Sequence, residues 1–113
     1  MPSVSDVLEI IETFAPSRWA FSFDKVGLQV VRKNSEVQKA VVSLDWSDEL
    51  LQFAKSVQAN LIICHHPIIW EPLTELTAKS RSSEMALRLA ECGIAMIACH
   101  TNWDSAPGGI NDT

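Results

Sequence analysis

Residues 39–67 read KAVVSLDWSDELLQFAKSVQANLIICHHP, and this stretch decides the fold because it holds one complete strand, helix and strand. Lys39 to Leu44 is β-branched and apolar, the composition of a strand. Ser47, Asp48 and Glu49 come next as a helix N-cap with acids placed against the positive end of the dipole. Leu50, Phe53, Ala54 and Val57 then recur at helical spacing. Leu61 to Cys64 is apolar without a break, as a strand covered on both faces must be.

The same rhythm continues outward. Downstream, a loop rich in Pro and Thr runs from Pro67 to about Ser80. A second helix is expected from about Ser83, with Met85, Leu89 and Cys92 on one face, and Gly93 stands where a left-handed C-terminal cap belongs. Ile94 to Cys99 is a further apolar strand. Upstream, Val4, Val7, Leu8 and Ile11 have helical spacing, Ser3 with Asp6 matches a capping box, and Pro16 ends the segment. Trp19 to Asp24 reads as a loop, and Leu28 to Val31 as a short strand after Gly27. Alternating strands and helices are the mark of βαβ units. The expected fold is therefore one α/β domain over residues 1–113, with a parallel or mostly parallel sheet and helices on both faces.

Composition narrows the function classes. Of the 113 residues 47% are hydrophobic and 20% charged, an ordinary globular balance without repeats or low-complexity tracts. A formal charge of -5 offers no basic stripe for phosphates, so no direct nucleic-acid partner is expected, and small molecules and other proteins remain. The N-terminus lacks the basic and long apolar regions of a secretory signal, and no apolar run reaches the roughly 20 residues that cross a bilayer. Cys64, Cys92 and Cys99 are odd in number and form no CxxC pair, so they are expected to be buried free thiols in a reducing, cytoplasmic compartment.

In open sheets of this kind ligands gather beyond the carboxyl ends of the strands. Asp45 comes after the first clear strand, His65 and His66 after the second, and His100 and Asp104 after the third, so all three histidines of the chain fall at one edge. Imidazole nitrogen with carboxylate oxygen suits divalent zinc, iron, manganese or nickel. Adjacent strand residues point to opposite faces, so His65 and His66 serve one ion only if the strand ends between them, and otherwise two. Pro67 holds His66 extended. Asp104 is the natural carboxylate to bridge two ions.

Plainer roles compete. A histidine pair before proline can simply end a strand, and Asp45, just before a helix cap, is read as turn chemistry, as is Asn102. Trp70 and Trp103 suit packing better than stacking on a heterocycle. Pro107, Gly108 and Gly109 form a tight loop, with weak support for a phosphate nest.

Four segments carry more than composition: Phe-Asp-Lys-Val-Gly-Leu-Gln-Val (23–30), Ser-Leu-Asp (43–45), His-His-Pro-Ile-Ile-Trp (65–70) and His-Thr-Asn-Trp-Asp-Ser-Ala-Pro-Gly-Gly-Ile-Asn-Asp (100–112). In this order they resemble the NGG-interacting-factor-three-like family, whose bacterial members are often labelled GTP cyclohydrolase type 2 homologues. The resemblance covers nearly all of this chain but only the N-terminal part of a typical member. It implies an α/β domain, a ring-shaped homohexamer and a dinuclear site of two divalent ions, zinc, iron or manganese. His65, His66 and Asp104 match the family's ligands, and His100 a histidine beside the site suited to proton transfer. Asp24 and Asp45 match recurring acidic positions without an assigned role. Lys25 stands where asparagine is usual, and Val31 where glycine is common. The family completes its site with a histidine and a glutamate from a C-terminal segment, and Gly108 to Thr113 reads as a loop entering a further element, so a fragment of a longer protein is expected.

The resemblance implies a metal-dependent hydrolase acting on a nucleotide-like or heterocyclic substrate, with His100 as catalytic proton carrier. The alternative is a metal-binding regulatory or metal-delivery protein that acts through protein partners. A folded remnant without activity is the third reading.

Overall fold

A computed structural model describes residues 2–14, 27–31, 36–69 and 73–99. In chain order its elements are α1 (Val4–Phe14), β1 (Gly27–Val30), β2 (Ala40–Ser43), α2 (Asp48–Ser56), β3 (Leu61–Cys64), α3 (Arg81–Glu91) and β4 (Ala95–Ala98). The four strands form one sheet in the order β1-β4-β3-β2. β2 pairs parallel with β3, and β3 parallel with β4, so the expected mostly parallel sheet is found. β1 runs antiparallel along β4 and makes the sheet mixed.

From β2 through β3 to β4 the chain steps across the sheet in one direction, and crossovers of one hand then place both helices on one face. Accordingly Leu51 and Ala54 of α2 pack with Met85 and Leu89 of α3 over Ile62, Cys64 and Met96. The alternate strand residues Leu61, Ala95 and Ile97 meet Val4 and Ile11 of α1 on the opposite face. Helices thus cover both faces, and the unbroken apolar strands are explained by burial on two sides. Truncating Leu51 or Leu89 to alanine, each no more than 1% exposed, would cost about 2–5 kcal/mol.

The helix ends obey local chemistry. The Ser3 amide donates to Asp6 Oδ2 at 2.9 Å and the Asp6 amide donates to Ser3 Oγ at 3.2 Å, a reciprocal cap with aspartate in the usual glutamate position. The Ser3 backbone N–H is the main reason the Asp6 carboxyl is held below its ordinary range. Ser47 caps α2 by accepting from the Leu50 amide at 3.0 Å, as expected. α3 starts earlier than its apolar spacing suggests: Ser80 is the cap, accepting from the Ser83 amide at 3.2 Å. Ser83 instead lies one turn inside and turns its buried hydroxyl onto the Thr77 carbonyl.

Gly93 adopts φ +69°, the left-handed cap the sequence predicts. Cys64 and Cys99 are buried, but Cys92, at the C-cap of α3, is exposed, which corrects the expectation of three buried thiols. The apolar stripe of the helix has ended by that point. Among the described residues no helix is long and apolar enough to cross a membrane.

Candidate functional site at the carboxyl edge of the sheet

The register sets the site. Ser43 pairs with Cys64 and Cys64 with Ala98, so β2, β3 and β4 end at one level and the segments leaving them emerge side by side. The ladder runs slightly past the strands: the His65 amide donates to the Ser43 carbonyl at 3.0 Å, and the His66 amide to the Leu44 carbonyl at 3.1 Å. Ser43 Oγ donates to the Asp45 carbonyl at 2.9 Å and closes the turn before α2.

That turn aims a side chain. Asp45 Oδ1 meets His66 Nδ1 in a close hydrogen-bonding contact. A carboxylate there holds the ring proton on Nδ1 and leaves the lone pair on Nε2. Asp45 is therefore more than turn chemistry, the role its position suggests in the sequence. The contact spans 21 positions and no local pattern announces it.

β3 ends at Cys64, before the histidine pair, so strand alternation does not force the two rings apart. Their centroids lie 5.0 Å apart with planes at 70°. His65 is 8% exposed, whereas the His66 side chain is 42% exposed. One ring is thus part of the core and its neighbour faces outward. Cys64 points into the core, and burial, helped by the negative charge of Asp45, pushes its thiol up to about 12. In the chain without bound metal it stays protonated at neutral pH.

Beside His66 lies an open cavity of about 230 Å³, lined among others by Asp45, Trp46, Ile68, Arg81 and Met85. Trp46 Nε1 is buried there without a hydrogen-bond partner among the described residues. Arg81 is a cation at the first position of α3, where helix electrostatics favour acids. Its next neighbour, Ser82, donates to the Ile68 carbonyl at 2.6 Å and fastens the loop after the histidines to α3.

Two imidazoles and a carboxylate are thus gathered at one edge and are donors of the kind that hold divalent ions. Among the described residues, no three such groups converge into a complete metal cluster. His100 and Asp104 lie outside the described residues, as do Asp24, Lys25, Trp70, Asn102, Trp103 and Pro107 to Gly109. The sequence reading missed Arg81, Ser82 and Gln29. Their placement depends on contacts between distant segments, and only the arginine's unfavourable helix position could have drawn notice.

Comparison with known proteins agrees with this geometry. The chain is 41% identical over 109 residues to a GTP cyclohydrolase 1 type 2 homolog of Lactococcus lactis, covering 96% of this chain and 42% of that protein. It is 33% identical over 107 residues to NIF3-like protein 1 of Drosophila melanogaster, covering 94% and 37% respectively. Among solved structures, a Bacillus cereus protein related to NIF3 superposes with TM-score 0.88 at 33% identity over 98% of this chain and 30% of its own. Reduced HcgD from Methanocaldococcus jannaschii does so with TM-score 0.84 at 31% identity, over 97% and 44%. The chain spans less than half the length of these proteins. Residues 2–113 match the family described as Duf34/NIF3 (NGG1p interacting factor 3), and the chain belongs to that family.

Proposed function

We propose that the chain is a divalent-metal-binding protein, part of a dinuclear site, and that the assembled protein is a metal-dependent hydrolase of a nucleotide-like or heterocyclic substrate. The observation that carries this reading is the Asp45–His66 contact, the arrangement in which a carboxylate fixes the tautomer and direction of a metal-binding imidazole. The donor chemistry fits. His65 and His66 would hold zinc, iron or manganese together with Asp104. Such ions supply hydroxide from bound water near neutral pH.

The chain's own residues take the remaining roles. Asp45 orients His66, and His65 is fixed by burial. Arg81 offers charge to an anionic substrate in the neighbouring cavity, and His100 carries a proton. A homohexamer in the cytoplasm belongs to the same proposal.

A second reading draws on one observation. The cavity of about 230 Å³ is smaller than the roughly 300–1,000 Å³ of most small-molecule sites, which favours a metal-binding or metal-delivery protein acting through protein partners.

Elemental analysis of protein purified without added metal, with a turnover screen of the metal-loaded chain against phosphate esters and purine nucleotides, tests both. Bound metal with turnover that His100→Ala slows by about 100-fold to 10,000-fold supports the hydrolase. Bound metal without turnover above that of free ions leaves the second reading, and absence of metal overturns both.

A further inference from the structure

β1 is not regular. Leu28 pairs with Ile97 and Val30 with Met96, which leaves Gln29 as the extra residue of a bulge. Bulges turn a side chain away from the direction strand alternation would give it, and they collect beside functional sites. Here the partly buried Gln29 reaches the loop just beyond the histidine pair. Its Oε1 accepts from the Ile68 amide at 3.1 Å and from the Ile69 amide at 2.8 Å, and its Nε2 donates to the Ile69 carbonyl at 3.4 Å. Ser82 meanwhile donates to the Ile68 carbonyl, so the loop is tied to α3 on its other side.

One amide side chain thus does for residues 68–69 what a neighbouring strand does for a ladder. These residues come within three positions of His66, with only Pro67 between His66 and Ile68. Pro67 fixes its own φ and restricts its neighbour's backbone, so the anchoring at Ile68 is transmitted stiffly to His66. The Ile68 side chain is 6% exposed and belongs to the main core, which prevents the loop from sliding under its anchor.

From this geometry we infer that Gln29 is a positioning residue of the site: the bulge of β1 places its carboxamide to clamp residues 68–69 and so to aim His66 at Asp45. It touches neither imidazole and acts through the backbone. The inference rests on reading His65 and His66 as the metal-holding pair. Metal affinity therefore depends on a glutamine three strands away in sheet order from the turn that carries Asp45.

The test uses the full chain with Gln29→Met, which keeps the length and removes the polar atoms, and Gln29→Glu, which keeps an acceptor for both amides. Amide hydrogen exchange at Ile68 and Ile69, the ring nitrogen signals of His66 by NMR, and zinc affinity by calorimetry are read together. Gln29→Met is expected to speed exchange at both amides at least tenfold, to shift the His66 ring signals and to weaken zinc binding about 10-fold to 100-fold, the range for outer partners of metal ligands. Gln29→Glu should recover most of all three, since the carboxylate still accepts from both amides and loses only the longer 3.4 Å donation to the Ile69 carbonyl. A purely structural glutamine would not give this split between two variants. Unchanged exchange in Gln29→Met overturns the clamp. Faster exchange with unchanged His66 signals and zinc affinity overturns the positioning role. If the parent chain binds no zinc, the metal reading fails by itself, while amide exchange still decides the clamp and the His66 ring signals the positioning role. Should Gln29→Met not fold, Gln29→Asn, which retracts both polar atoms by one methylene, takes its place with the same expected losses and the same overturning results.

Discussion

Asp45 and His66 meet across neighbouring parallel strands, and they do so because β2 and β3 end in register with Ser43 beside Cys64. The contact is set by the sheet and not by the loops alone. Its exposure, 66% for the aspartate side chain and 42% for the histidine, means that as a plain surface ion pair it would add little stability.

Asp45→Asn should therefore leave the melting temperature nearly unchanged while weakening zinc binding by about 10-fold to 100-fold. Calorimetric titration beside a thermal melt checks this. Equal zinc affinity in the variant would reduce the contact to an ordinary surface pair.

The two histidines should respond differently to removal. His65→Ala and His66→Ala are each expected to lower bound metal in part, by elemental analysis. His65→Ala should also destabilise the fold by about 1–3 kcal/mol, because the ring is buried, whereas His66→Ala should stay within about 0.5 kcal/mol. Full metal content in both variants would remove the pair from the site.

Alkylation should distinguish the cysteines. At pH 8 the folded chain should take up about one equivalent of iodoacetamide at exposed Cys92, and all three thiols should react once it is unfolded. Burial is the main reason Cys64 is pushed up to about 12 and Cys99 to about 11, with Asp45 and Glu12 adding to the two effects. A folded-state value above the unfolded one means that this contribution to stability is complete below the unfolded thiol's value. It is lost as pH rises toward the folded one. Denaturation midpoints should thus fall from about pH 9 upward, and Cys64→Ala should flatten that decline. Rapid labelling of three thiols in the native chain would contradict the burial.

Gly27 begins β1 beside Ala98 with φ +100°, a conformation that side chains resist, although a methyl group would meet nothing within 4 Å. Gly27→Ala should cost about 1–3 kcal/mol through the backbone alone. Urea denaturation checks this, and an unchanged midpoint would show that the chain relaxes there.

The parts of this fold that were legible from sequence are those whose signals are local. Apolar runs at 40–43, 61–64 and 95–98 form the parallel core of the sheet, and the serine before Asp48 caps its helix as its type requires. The start of α3 was less legible because Ser80, Ser82 and Ser83 all have capping chemistry. Only the packed structure selects the first and turns the third inward. The antiparallel sense of β1 was hidden because four residues with a glycine and a bulge carry no periodicity from which to read direction. At the site, the edge location of His65, His66 and Asp45 was readable from the strand ends. The partnership of Asp45 with His66 and the reach of Gln29 to Ile69 were not, since they join segments 21 and 40 residues apart.

The shared level of the three strand ends makes chain length, more than side-chain identity, the quantity this edge is sensitive to. A single residue inserted in β3 would carry His65 and His66 about 3.3 Å beyond Asp45. It would also exchange the faces of Ile62 and Ile63, which now point to opposite cores. Substitutions here can fade the site by degrees, but an insertion or deletion inside a strand would remove it and the packing beneath it in one step. Variation in length is therefore tolerable only in the connections, such as residues 73–80, that lie between the strands and do not set their register.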